Sequence, residues 1–158
     1  MGLSVFPAPS AGAKEKRIDY FTASGTWTVP TGVTYAIAHC IGGGGGAGPN
    51  NASAGGSSIV SFSTAVTARG GTPGNIYPTW TGGAISNSAE ANTGNGGSYS
   101  GWEPGAGNSA MALSGSRGGY VVGGATVTPG ASISVTVGTG GTGSATGGSG
   151  YVWIEYYV

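Results

Sequence analysis

Apolar and polar positions alternate along much of this chain, and nowhere do apolar residues recur at helical spacing. The cleanest case sets Ile133, Val135 and Val137 against serine and threonine, the pattern of a half-buried strand. Turn signals flank it, Thr128-Pro129-Gly130 before and Gly138-Thr139-Gly140-Gly141 after. Val33 to Ile41 reads as another strand. It places Val33, Tyr35, Ile37, His39 and Ile41 on one face and the smaller Thr34, Ala36, Ala38 and Cys40 on the other. Earlier, Phe21, Ala23, Trp27 and Val29 share one parity around Gly25, which fits two short strands or one that bends at the glycine. Ser58 to Ser63, Ala65 to Arg69, Tyr120 to Val122, Ala125 to Thr128 and Tyr151 to Val158 carry further β character. The pattern predicts an all-β protein, a glycine-rich β-sandwich of jelly-roll type with long glycine loops.

Between Gly70 and Gly119 the periodicity nearly vanishes. Tyr77, Trp80, Tyr99 and Trp102 are scattered there among Gly, Asn, Ser and Thr. A stretch this long without pattern points to function or to elements that pattern does not reveal. Rigid rings among small polar residues are the composition of recognition loops, and equally of a core that glycines wrap around.

Composition sharpens this picture. Glycine supplies 36 of 158 residues, peaking in the unbroken run Gly42 to Gly46. Glycine loses the most backbone entropy on folding, so such a content suggests disorder, yet four Trp, eight Tyr and three Phe argue for a folded core. The glycines are then expected where backbones approach closely or turn tightly. A bundle of glycine-rich polyproline-type helices, as in some ice-binding proteins, calls for Gly at every third residue over long stretches, and no such period is present.

Only 6% of residues are charged, and the net charge is zero. Lys14, Glu15, Lys16, Arg17 and Asp19 cluster near the start, and beyond them stand only Arg69, Glu90, Glu103, Arg117 and Glu155. Without a basic stripe there is no electrostatic footprint for nucleic acid, and no apolar run reaches the length of a membrane span. Residues 1–19 read as an arm and polar hinge, with Leu3, Val5 and Phe6 as apolar anchors ahead of Pro7 and Pro9. The choice is between a loose terminus and an arm that lays those anchors into a partner; residues 20–158 form the β domain. The opening Met1 to Pro7 shows neither a secretory signal nor, with Phe6 at the sixth position, a myristoylation pattern. A single cysteine, Cys40, excludes an intrachain disulfide framework and suggests folding in a reducing cytoplasm.

Chemistry-bearing constellations are sparse. His39 and Cys40 are adjacent in a strand, so their side chains point to opposite faces and a nucleophile-base pair is disfavoured. His39 is better read as a strand residue packed beside Ile37 and Ile41. One His and one Cys with dispersed carboxylates give no metal-ligand spacing. Glu90 and Glu103 lack the supporting residues of a glycosidase pair and read as solvated loop carboxylates. Gly42 to Gly46 follows a strand but has no Lys-Ser/Thr and no following helix, so it is not a phosphate loop. The expectation is a non-enzymatic protein without cofactor or metal.

Three blocks together carry a resemblance. Gly25-Thr26-Trp27-Thr28-Val29-Pro30-Thr31-Gly32-Val33, the run Gly42 to Gly46, and Val127-Thr128-Pro129-Gly130 with Ile133 to Gly138 resemble the glycine-rich domain of bacteriophage tail-fibre and other virion proteins. The closing Gly147-Gly148-Ser149-Gly150-Tyr151-Val152-Trp153-Ile154 is similar to that domain's terminal strand. The resemblance covers most of residues 20–158 but not Thr72 to Ala110. It implies a β domain made in the host cytoplasm and displayed on a virion, in some relatives with glycine-rich loops that recognise the host surface. By that analogy the protein is a homo-oligomer, a trimer by expectation. Its arm binds other virion proteins, and a host surface glycan or protein is its receptor. Tyr77, Trp80, Tyr99 and Trp102 are the receptor-binding candidates from the residues themselves, and Leu3, Val5 and Phe6 the virion-docking candidates. The rival reading is a purely structural decoration whose uncharged body is covered by neighbours.

Overall fold

Strand alternation and glycine runs build two different layers in the computed structural model, which describes residues 14–48, 51–74, 98–101 and 111–158. The described residues form ten strands, of which the sixth and seventh lie inside the stretch without periodicity: β1 (Lys16–Phe21), β2 (Gly25–Thr28), β3 (Tyr35–Ile41), β4 (Ser58–Val60), β5 (Val66–Ala68), β6 (Ser98–Gly101), β7 (Met111–Ser114), β8 (Tyr120–Thr126), β9 (Ser132–Thr136) and β10 (Tyr151–Tyr157). One four-stranded sheet runs β1-β10-β3-β8, a second runs β2-β9-β4-β5, and β6 and β7 form a separate hairpin. All named pairings are antiparallel. The chain changes sheet between Phe21 and Gly25, so the segment around that glycine is two strands. The boundary placed between residues 19 and 20 falls inside β1, which draws Lys16, Arg17 and Asp19 into the domain.

The two sheets face each other across one core. The first contributes Ala36, Ala38, Cys40, Val152, Ile154 and Tyr156, the second Trp27, Val60, Val66, Ala68, Ile133 and Val135. Trp27 and Tyr156 meet across it with ring centroids 5.5 Å apart. The inward side of β3 is its small-residue face, which makes room for the bulky side chains of the opposite sheet. The large face, with Tyr35, Ile37, His39 and Ile41, looks outward. Thr128-Pro129-Gly130-Ala131 closes with an Ala131 N–H to Thr128 C=O bond of 3.0 Å. Gly130 sits there at φ 81°, where a turn of this kind requires a left-handed residue.

The glycine segments form a second layer that is neither loop nor sheet. From Gly42 onward, successive N–H groups donate to Gly119, Gly56, Gly148, Ser116, Ser53 and Ala145, all at 2.8–2.9 Å. Every third residue returns to the same neighbour: Gly42 and Gly45 to 116–119, Gly43 and Gly46 to 53–56, Gly44 and Ala47 to 145–148. A β-strand bonds to two flanking strands only. Bonds that rotate through three directions describe an extended helix of three residues per turn, the polyproline II form, in which no bond is internal to the segment. Carbonyls of the same segment accept from Gly71, Gly74 and Gly141, adding 71–74 and 138–142 to the ring of neighbours.

Residues 42–48 are buried throughout at the centre of this bundle. A Cβ would collide with the Thr139 carbonyl at Gly43, the Thr72 carbonyl at Gly45 and the Thr142 carbonyl at Gly46. The sequence-based rejection of a polyproline-type bundle is therefore corrected. A three-residue glycine period suits a helix with one crowded face, whereas this central helix is crowded on all faces and needs a small residue at every position.

Each segment of the bundle continues into a strand of the sandwich. Residues 42–48 extend β3 outward and 53–56 return to β4; 70–74 leave β5 and 115–119 return to β8; 138–142 leave β9 and 145–150 return to β10. The described residues beside the three links, Gly48 and Asn51, Gly74 and Gly115, and Thr142 and Ala145, thus lie at the end of the bundle away from the sandwich.

Candidate recognition surfaces

The far end of the bundle holds Gly74 and Ser116, described residues that flank segment 75–114. Gly48 donates to the Gly74 carbonyl at 3.1 Å, and Ser116 donates its backbone N–H to Thr72 at 2.9 Å. Side chains tighten the same junctions. Thr72 N–H reaches Ser116 Oγ at 2.6 Å, and the two hydroxyls lie 3.0 Å apart. Thr142 N–H bonds Ser53 Oγ at 2.8 Å in the neighbouring pair. Of the receptor-binding candidates, Tyr99 lies on β6 in register with Leu113. Tyr77, Trp80 and Trp102 lie outside the described residues, as do Leu3, Val5 and Phe6.

A second surface, not foreseen from the sequence, covers the outer face of the β1-β10-β3-β8 sheet. The register sets Tyr20, Trp153, His39 and Val122 side by side on four adjacent strands. Tyr151, Ile41 and Tyr120 form the next row towards the bundle. The His39 and Trp153 rings stack with centroids 4.5 Å apart and planes 9° from parallel, and Tyr120 lies 5.9 Å from Trp153. Tyr20 meets Tyr151 at 6.1 Å and remains 62% exposed. The available signal was the alternation within Tyr151 to Tyr157, where Val152, Ile154 and Tyr156 turn inward and Tyr151, Trp153 and Tyr157 do not.

The polar groups of this face are few and mutually engaged. Lys16 Nζ lies 2.8 Å from Glu155 Oε2; this bond lowers the Glu155 carboxyl below its ordinary range and raises the lysine. His39 Nδ1 lies 2.7 Å from the Tyr120 hydroxyl, and its Nε2 lies 3.6 Å from Glu155. The geometry fits a neutral imidazole whose Nδ1 accepts a hydrogen bond from the tyrosine hydroxyl and whose Nε2–H turns to the carboxylate. Burial lowers the pKa of His39 and raises that of Tyr120. Cys40 sits on the opposite, core face, so the strand separates it from His39. Among the described residues, no three His, Cys, Asp or Glu side chains come together in a way that could hold a metal ion. What the face offers is a flat array of rings with one ion pair, a surface for contact with sugars, aromatic groups or another protein.

No family model, curated protein or solved structure matches this chain.

Proposed function

We propose that this chain is a bacteriophage virion protein, a tail-fibre or surface-projection component that binds the host cell surface without catalysing a reaction. The observation that carries this reading is the arrangement of the bundle, which fixes the flanks of segment 75–114 at Gly74 and Ser116, away from the sandwich. A rigid backbone lattice of that kind is a platform on which a recognition segment can vary without disturbing the fold beneath it. Tyr77, Trp80, Tyr99 and Trp102 belong to that segment and are its candidate receptor contacts, with a surface glycan or protein as the ligand class. In this reading the residues ahead of β1 are the attachment arm and the particle carries the protein as a homo-oligomer.

The alternative, a purely structural decoration, draws support from the ring-covered outer face, where Tyr20, Val122 and Tyr157 are 62%, 47% and 49% exposed. A covering neighbour would remove that apolar area from water. Binding of the full chain to host-type cells separates the two. Saturable binding lost in a folded Trp80→Ala, Trp102→Ala double variant is expected of an adhesin, and no binding by the correctly assembled protein leaves the structural role.

A further inference from the structure

The free edge of β8 is the least protected feature of the described fold. Gly42 N–H to Gly119 C=O and Val127 N–H to Thr34 C=O fix the hydrogen-bonded pairs between β3 and β8. With the register Tyr35↔Thr126 to Ile41↔Tyr120, Val121, Gly123 and Ala125 bond inward to β3. The N–H and C=O groups of Val122, Gly124 and Thr126 therefore point away from the sheet, and no described segment pairs with them. Seven residues long, this strand holds no charge, no proline and no bulge. The opposite edge, β1, carries Lys16, Arg17 and Asp19. Charge on an edge strand blocks pairing with other chains; a long uncharged edge invites it.

Beside this edge the sandwich is open. Gly119 N–H bonds the Arg69 carbonyl at 2.8 Å, so β5 and β8 converge next to the bundle. Below that point the short β5 leaves a cleft of about 330 Å³, lined by Ala65, Val66, Thr67, Val121 and Gly123. An added strand on β8 would send alternate side chains into this cleft and the others onto the outer face. The sequence holds a segment of that pattern outside the described residues: Leu3 and Val5 share one parity and Ser4 lies between them.

We infer that residues 2–6 of a second copy of this chain pair with β8 and place Leu3 and Val5 in the cleft between β5 and β8. This names the partner of the docking arm and rests on reading the residues ahead of β1 as one. Strand polarity favours a second copy over the same chain. Lys14 stands at the foot of the sheet, where the neighbouring Glu15 bonds Val158. An arm that crossed the foot of β10 and β3 from there would run parallel to β8 in a sheet whose pairings are all antiparallel. An arm from another copy can run antiparallel and complete the ladder.

The test uses two full-length variants, Ser4→Cys and Val122→Cys, mixed under mild oxidation. Cys40, fully buried, does not compete. The expected product is a covalent dimer joining one chain of each kind, formed with Val122→Cys or its outer-face neighbour Thr126→Cys. In parallel, Val122→Pro removes an N–H that β3 does not use, so it should fold with unchanged circular dichroism and sediment at lower mass than the parent. A parent that sediments as a monomer, or a mixture that gives no heterodimer, overturns the inference. So does a Ser4→Cys, Val122→Cys chain that crosslinks only within itself. Each of these outcomes leaves cell binding by segment 75–114 to be judged on its own assay.

Discussion

His39 lies flat against Trp153, 4.5 Å between ring centroids, on the outer face of a sheet whose inner face is the core. Burial between Trp153 and Tyr120 favours the neutral ring and holds its pKa below the ordinary 6.5. Glu155 acts in the opposite sense and Lys16 in the same sense, burial being the largest effect. On the acid side the unfolded chain then binds more protons than the folded one, so stability rises with pH up to about 6.5 and levels off above. Glu155, whose pKa is lowered, adds stability that is present above 4.5 and lost only as the pH falls further. The span between about pH 5 and 6.5 thus reports on His39. The urea midpoint should fall on acidification across that span in the parent and stay level in His39→Phe, which keeps a ring there and cannot titrate. An equal slope in both would remove His39 as the cause.

Backbone contact in the bundle sets a sharp contrast between glycines. A Cβ at Gly46 would strike the Thr142 carbonyl, whereas one at Gly25 meets nothing within 4 Å. Alanine at Gly46 should destabilise by more than about 3 kcal/mol or prevent folding, because the obstacle is backbone with no rotamer to yield. Alanine at Gly25 should change stability by no more than about 0.5 kcal/mol. Urea unfolding of the two variants checks both, and comparable losses would mean that the central helix is not packed as described.

The strands were legible because alternation is local: Ile133, Val135 and Val137 are buried as their pattern predicts. The bundle was not, because its bonds join residues far apart, as Gly44 to Gly148 does, and leave no periodic mark in either segment. Five glycines in a row signalled close backbone approach without saying to what. The aromatic face was hidden for another reason. β10 carries large rings on both sides, Tyr156 facing in and Tyr151 and Trp153 facing out, so its alternation separated two parities without marking the outer one as an aromatic surface. His39 was placed correctly beside Ile37 and Ile41, but its stacking partner lies on a strand more than a hundred positions away.

Cys40 is fully buried, its Sγ 3.6 Å from the Val66 carbonyl, and burial pushes the thiol up to about 11. At pH 8 its thiolate fraction falls roughly two orders of magnitude below that of a free cysteine. Labelling by a disulfide reagent should be slower than in the unfolded chain by at least that factor, and should accelerate in step with urea unfolding. Rapid stoichiometric labelling of the native protein would place Cys40 at the surface and contradict the packing of β3 against β5.

Asp19 joins the two sheets at their other margin. It stands on β1 of one sheet, and its Oδ2 accepts the indole N–H of Trp27, on β2 of the other, at 2.8 Å. Trp27 is only 3% exposed, so this carboxylate satisfies a donor that water does not reach. Asp19→Ala leaves the N–H unpaired in the core and should cost about 1–3 kcal/mol. Asp19→Asn keeps an oxygen acceptor in place and should cost less than about 1 kcal/mol if its amide turns that oxygen to the indole. Unfolding followed by tryptophan fluorescence distinguishes the hydrogen bond from the charge. A loss confined to Asp19→Ala assigns the stabilisation to the bond, and equal losses in both variants would assign it to the negative charge.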